Sequence, residues 1–252
     1  MEYLSRRNLR MPLHFQGESY TIEYTGKTGK GDSMRIIELK ETVTASNDRD
    51  AQALRGELKE KGTLLINLMA SPGAGKTTLL ERTIRDMQDR FKIAVMEADV
   101  DSDVDAVRIE KLGAKAVQAH TGGMCHMDAG MTRTALEELG EERFDLVVLE
   151  NVGNLICPAE FDTGAGKKVM LLSVPEGDDK PLKYPLMFSV SDVLILTKTD
   201  VAPYFDFDFD ACKRRARQLN PNIEIFEVSA KTGDGFEEWE SWLAKAIEDN
   251  RA

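Results

Sequence analysis

TLLINLMASPGAGKTT, residues 63–78, decides the fold. An apolar run flows into Ala70-Ser-Pro-Gly-Ala-Gly-Lys-Thr77, and a helix-forming stretch follows at once. A strand that feeds a small-residue loop and then a helix cradles phosphate with consecutive backbone N–H groups. Gly73, Ala74 and Gly75 are small enough for that curl. Lys76 reaches the β- and γ-phosphates, the Thr77 hydroxyl suits Mg²⁺, and Thr78 completes the set. The helix adds its positive N-terminal dipole. Ala70 stands where the motif's first glycine usually lies, a mild departure because alanine is also small.

Outward from this loop, short apolar runs alternate with helical stretches. Strands are expected at 63–69, 92–98, 114–119, 145–151, 168–174, 193–197 and 223–228. Their nearly continuous Val/Ile/Leu content suits strands buried on both faces. Helices are expected at 76–90, 125–140, 206–220 and 236–250. The alternation predicts an α/β fold, a doubly wound and mostly parallel sheet of about seven strands with helices on both faces. Ligands then sit at the carboxyl ends of the strands. Residues 1–33 are expected to be a flexible extension and 34–62 a strand and helix segment. The domain proper is expected at 63–252, with a capped amphipathic helix from Asn47, the residue at its cap, to Lys61 before it. The run GKTGKGDS at 26–33 lacks phosphate-loop spacing and a strong preceding strand, and reads as part of a tail.

The net charge of −11 argues against a general nucleic-acid binder. No apolar stretch approaches the roughly 20 residues that span a bilayer, and no secretion signal opens the chain, so the cytoplasm is the expected compartment. Three cysteines, Cys125, Cys157 and Cys212, do not make a disulfide framework. The histidines are His14, His120 and His126, so the adjacent pair Cys125-His126 stands out.

Carboxylates follow two strands. Asp99 closes the second, where it can hold Mg²⁺ directly or through water, and Asp101, Asp103 and Asp105 come after it. Asp101 and Asp103 read as a solvated turn. Glu150-Asn-Val-Gly153 follows the fourth strand in the place of the Asp-x-x-Gly switch of GTPases. There Glu150 would orient the metal shell and the Gly153 N–H would meet the γ-phosphate. Two later stretches select the base. Thr197-Lys198-Thr-Asp200 matches Asn-Lys-x-Asp except at Thr197, and Ser229-Ala230-Lys231 follows the last strand. Asp200 can accept both N1–H and the exocyclic amine of guanine, and adenine offers neither. Lys198 can lie across the base. The expected ligand is therefore GTP or GDP.

Four stretches carry a resemblance: residues 67–81 (NLMASPGAGKTTLLE), 121–129 (TGGMCHMDA), 150–162 (ENVGNLICPAEFD) and 173–185 (SVPEGDDKPLKYP). Residues 34–250 resemble the HypB family, GTPases that help insert nickel into [NiFe]-hydrogenase. The resemblance implies Asp99 near Mg²⁺, Asp105 positioning the attacking water, and dimerisation across the nucleotide faces. It also implies a Ni²⁺ or Zn²⁺ site at Cys125, His126 and Cys157, with another nickel-delivery accessory protein and the hydrogenase large subunit as partners. A thiolate and an imidazole serve either ion. Adjacent side chains in an extended loop tend to diverge, so an ion was expected to draw ligands from two protomers. Cys212 reads as structural, and His120 as a residue that supports the ligands from behind or faces solvent. The N-terminal segment has no cysteine and only His14, which argues against nickel storage. Slow hydrolysis is expected, since the motifs contain no arginine finger. Two other readings stand beside this one: an accessory GTPase for another nickel enzyme such as urease, and a metal-responsive scaffold with a structural nucleotide. Against urease, that family carries Cys-Pro-His, whereas here Met124-Cys125-His126 leads into Met-Asp-Ala.

Overall fold

A computed structural model describes residues 39–99 and 108–251. By its contacts the chain divides into Met1–Val43 and Thr44–Ala252. The expected extension at 1–33, the strand expected just after it, and Asp101, Asp103 and Asp105 lie outside the described residues.

The strands are β1 (Leu64–Ala70), β2 (Ile93–Asp99), β3 (Lys115–His120), β4 (Leu146–Glu150), β5 (Lys167–Ser173), β6 (Val193–Thr197) and β7 (Glu224–Glu227). All pair in parallel, in the order β3-β2-β4-β1-β5-β6-β7. The order reverses around β1, the strand that carries the phosphate loop, and such a reversal opens the ligand crevice. Alternation along β1 serves both faces. Leu64, Ile66 and Leu68 pack with Leu79, Ile84, Trp239 and Ile247, whereas Leu65 packs with Leu54, Leu58 and Leu139. Met69 turns to a third cluster with Met187, Phe188 and Leu194. Each such side chain contributes roughly 1.5–3 kcal/mol by leaving water, which fixes the strand ends and hence the loops.

The long helices are α1 (Leu39–Glu60), α2 (Lys76–Met87), α3 (Ala129–Glu138), α7 (Phe209–Leu219) and α8 (Phe236–Arg251). Three shorter ones, α4 (Cys157–Glu160), α5 (Lys180–Lys183) and α6 (Pro185–Val190), had no sequence signal. Two helix starts differ most from expectation. Helix α1 starts at Leu39, so Asn47 is not its cap. Instead Asn47 Nδ2 donates to the Asp162 carbonyl at 2.9 Å, and its Oδ1 accepts from Ala129 N–H at 2.9 Å. Helix α3 starts at Ala129, capped by Asp128, which accepts from Met131 N–H. Residues 125–128 are thus a bent loop rather than a first helical turn.

Candidate nucleotide and metal sites

The phosphate loop joins β1 to α2 with Gly73 at φ 74° and Gly75 at φ 100°, left-handed angles that glycine adopts without strain. A cavity of about 590 Å³ opens above it, lined by Gly73, Lys76, Thr77, Glu150, Gly153 and Lys198. A larger cavity of about 690 Å³ lies between α1 and α3 over Leu54, Leu58 and Leu136. No phosphate loop faces it, so chemistry rather than volume marks the first cavity as the candidate nucleotide site.

Within the first cavity, Thr77 Oγ1 donates to Glu150 Oε1 at 3.3 Å, and Lys76 Nζ lies 3.9 Å from the same oxygen. Hydroxyl, ammonium and carboxylate therefore share one corner. Gly153 is a close-approach glycine, because a Cβ there would sit 2.9 Å from Pro72 Cγ and 3.1 Å from Pro72 N. The backbone of Asp99 ends β2 in register with His120. Glu97, buried two residues earlier, and Arg108 also line this cavity. Neither was expected, since their motifs are not diagnostic. Arg108 lies 2.9 Å from Glu81 of α2.

The loops at 197–200 and 229–231, expected to select the base, meet beside the phosphate loop. Thr197, the departure from Asn-Lys-x-Asp, is 5% exposed, and its Oγ1 donates to the Ala74 carbonyl at 2.7 Å. Lys198 takes φ 60°, the one non-glycine residue with positive φ among the described residues, and its Nζ donates to the Gly73 carbonyl at 2.7 Å. Ser229, fully buried, donates from Oγ to Asp200 Oδ1 at 2.9 Å. Ala230 and Lys231 follow at the rim, with Lys231 exposed.

The cysteines and histidine converge in one protomer. Cys125 Sγ lies 2.8 Å from Cys157 Sγ and 3.8 Å from His126 Nδ1, and the three donor atoms lie within 4.8 Å of one another. The expected divergence of Cys125 and His126 is overturned, because the loop bends at 125–126 instead of running extended. His126 is buried and stacked on Phe161 at 3.8 Å between ring centres. Burial pushes its pKa down, against the pull of Asp128 and Glu160, which favours the neutral, metal-binding imidazole. The hydrogen bond with Cys125, and then burial, push the Cys157 thiol up. Cys212 is buried in the third apolar cluster, and burial pushes its pKa up to about 12.

Two asparagines of the 150–162 stretch, neither singled out by the sequence reading, connect the two candidate sites. Asn151 follows Glu150, and its Oδ1 accepts from Met127 N–H at 3.2 Å and Val152 N–H at 2.9 Å. Its Nδ2 donates to Asn67 of β1 at 3.0 Å. Asn154 Nδ2 donates to the Cys125 carbonyl at 3.4 Å.

A parallel sheet that switches direction at a glycine-rich strand–loop–helix defines a P-loop nucleotide-binding protein. Residues 64–227 match the family described as CobW/HypB/UreG, nucleotide-binding domain. The hydrogenase maturation factor HypB of Rhizobium leguminosarum bv. viciae is 46% identical over 83% of this chain and 70% of its own. The hydrogenase/urease maturation factor HypB of Helicobacter pylori strain 26695 is 37% identical over 86% of this chain and 91% of its own. A crystal structure of HypB from Helicobacter pylori in complex with nickel superposes with a TM-score of 0.77 at 38% identity, over 82% of this chain and 97% of that one. The chain belongs to the HypB family of hydrogenase maturation factors. No helix among the described residues is long and apolar enough to cross a membrane.

Proposed function

We propose that this protein is a GTP-hydrolysing metallochaperone whose Cys125/His126/Cys157 site takes up nickel and releases it as the nucleotide changes. The single observation that carries this reading is Asn151. Its side chain joins the strand of the phosphate loop to the backbone of the cysteine–histidine loop, with Glu150 beside it. A shift of the 150–153 segment on losing a γ-phosphate would then move Met127 and its neighbour His126. Guanine is selected by Asp200, braced by Ser229, with Lys198 across the base and Ala230 and Lys231 closing the pocket.

The hydroxyl–carboxylate corner of Thr77 and Glu150 fits Mg²⁺, with Asp99 as a further ligand. When bound, that ion neutralises phosphate charge. Lys76 holds the phosphates, the Gly153 N–H meets the terminal one, and Asp105 positions the attacking water. Turnover is slow without a partner.

Nickel is the cargo, and Zn²⁺ competes for the same soft donors. Cys125, His126 and Cys157 would hold the ion, and the two thiols, 2.8 Å apart without it, would lose their protons and move apart to accept it. Three ligands from one protomer leave a position for an exchanging ligand. A GTP-dependent homodimer, acting in the cytoplasm, would receive nickel from another accessory protein and serve the hydrogenase large subunit. The name of the Helicobacter pylori relative favours urease as a second client.

Metal titration tests the site. Cys125→Ala and Cys157→Ala should each weaken Ni²⁺ binding by at least about tenfold, and unchanged affinity in both would end the metal reading.

A further inference from the structure

We propose that Arg82 is a positioning residue that locks the guanine-selecting loop to the phosphate-binding helix, so that one helix sets both ends of the nucleotide. The inference rests on the reading of Asp200 and Ser229–Lys231 as the base pocket. Arg82 lies on α2, about two turns beyond Lys76.

Its guanidinium lies against the turn that closes the Ser229 loop. A Cβ built on Gly233 would meet Arg82 Nη1 at 3.2 Å and Nη2 at 3.3 Å, so a side chain there would push the guanidinium back by a few tenths of an ångström. Gly233 also takes φ 89°, which a side chain would strain. The same guanidinium stands 5.2 Å from the centre of the Phe236 ring, within cation–π range. Arg82 is in turn held by Asp86, one turn on, and Glu240 of α8 stands close enough to Asp86 to feel its charge.

The turn beneath Arg82 is the scaffold of Ser229. Gly233 N–H donates to the Ser229 carbonyl at 2.8 Å, and Ser229 N–H donates to the Asp234 carbonyl at 2.9 Å. Thr232 N–H donates to Ser229 Oγ at 3.2 Å, and that hydroxyl donates to Asp200 Oδ1. Arg82 therefore reaches the base through a short relay: Gly233, Ser229, Asp200. It touches no nucleotide and presses on the loop that orients the carboxylate. Without it, the loop is still closed by its own hydrogen bonds, but its distance from α2 is set less firmly.

The test compares GDP and ADP binding to the full chain for wild type, Arg82→Gln, Asp86→Asn and Asp200→Asn, and for Arg82→Gln combined with Asp200→Asn. Arg82→Gln removes the guanidinium that stands over Phe236 and keeps a polar side chain on the helix, and Asp86→Asn loosens the same anchor without touching Arg82 itself. Both are expected to weaken GDP about tenfold and leave ADP unchanged. In the Asp200→Asn background, Arg82→Gln should cost nothing further, because the effect runs through that carboxylate. If wild type prefers GDP and both single variants keep that preference, the Arg82 role is overturned and the guanine reading stands. Equal losses for GDP and ADP, or additive losses in the double variant, also overturn it. If wild type binds GDP and ADP equally, the guanine reading fails and this proposal with it.

Discussion

Thr197→Val is the sharpest perturbation of the base pocket, because valine keeps the shape and removes only the hydroxyl. Thr197 is buried, and its Oγ1 donates at 2.7 Å to the carbonyl of Ala74, inside the phosphate loop. Losing a neutral hydrogen bond costs about 1 kcal/mol, and leaving a buried carbonyl short of its donor adds about 1 kcal/mol more. A loss of about 2 kcal/mol lowers the melting temperature of a domain this size by about 4–8 °C. If most of that loss falls on the alignment of the two loops, GDP affinity drops by about 5- to 30-fold. Thr197→Ser keeps the donor and should stay within about twofold of wild type. Calorimetric titration with GDP and a thermal melt read both quantities. Should Thr197→Val bind GDP within twofold of wild type and melt within a degree of it, the hydroxyl does not tie the loops together.

Other consequences are equally direct. Asp200→Asn should lose the guanine preference and favour xanthine nucleotides, measured by competition, since the amide now offers a donor where the purine carries a carbonyl. Gly153→Ala should destabilise the fold by about 1–3 kcal/mol and slow phosphate release in a GTPase assay, because its methyl meets Pro72. Asn151→Ala should leave nucleotide and metal affinities close to normal when each is measured alone, while removing the effect of one on the other. Glu240, pushed up to about 7 by burial and by the charge of Asp86, gives a pH signature. Its folded pKa lies above the unfolded one, so its stabilising contribution is present below about 4.5 and is lost as the pH rises through about 7. Glu240→Gln should therefore gain about 1 kcal/mol over wild type at pH 8, after allowing for solvent screening, and nothing at pH 4.5. Denaturant melts at the two pH values read the difference.

Much of this was legible in the sequence, for a physical reason. Each sheet strand lies within a residue or two of its expected span, and for the central strands the reason is that burial on both faces needs a nearly unbroken apolar run. Leu64–Ala70 and Val193–Thr197 are buried throughout. The phosphate loop was equally plain, since its glycines are demanded by backbone angles. Other features were not legible, the short helices α4–α6 and the cavity residues Glu97 and Arg108 among them. Asn47 looked like a helix cap, but it bridges Asp162 and Ala129, partners 115 and 82 residues away. Cys125 and His126 were expected to diverge, an inference valid for extended backbone and void at a bend. The linking asparagines, Asn151 and Asn154, have no pattern of their own, because their meaning comes from which loops the sheet places together.

The central claim is that nucleotide state sets metal affinity. It is tested most directly by titrating Ni²⁺ into the full chain loaded with GDP and again with a non-hydrolysable GTP analogue and Mg²⁺. The account predicts affinities that differ by about fivefold or more, a difference that disappears in Asn151→Ala. Equal Ni²⁺ affinities in the two nucleotide states would contradict it.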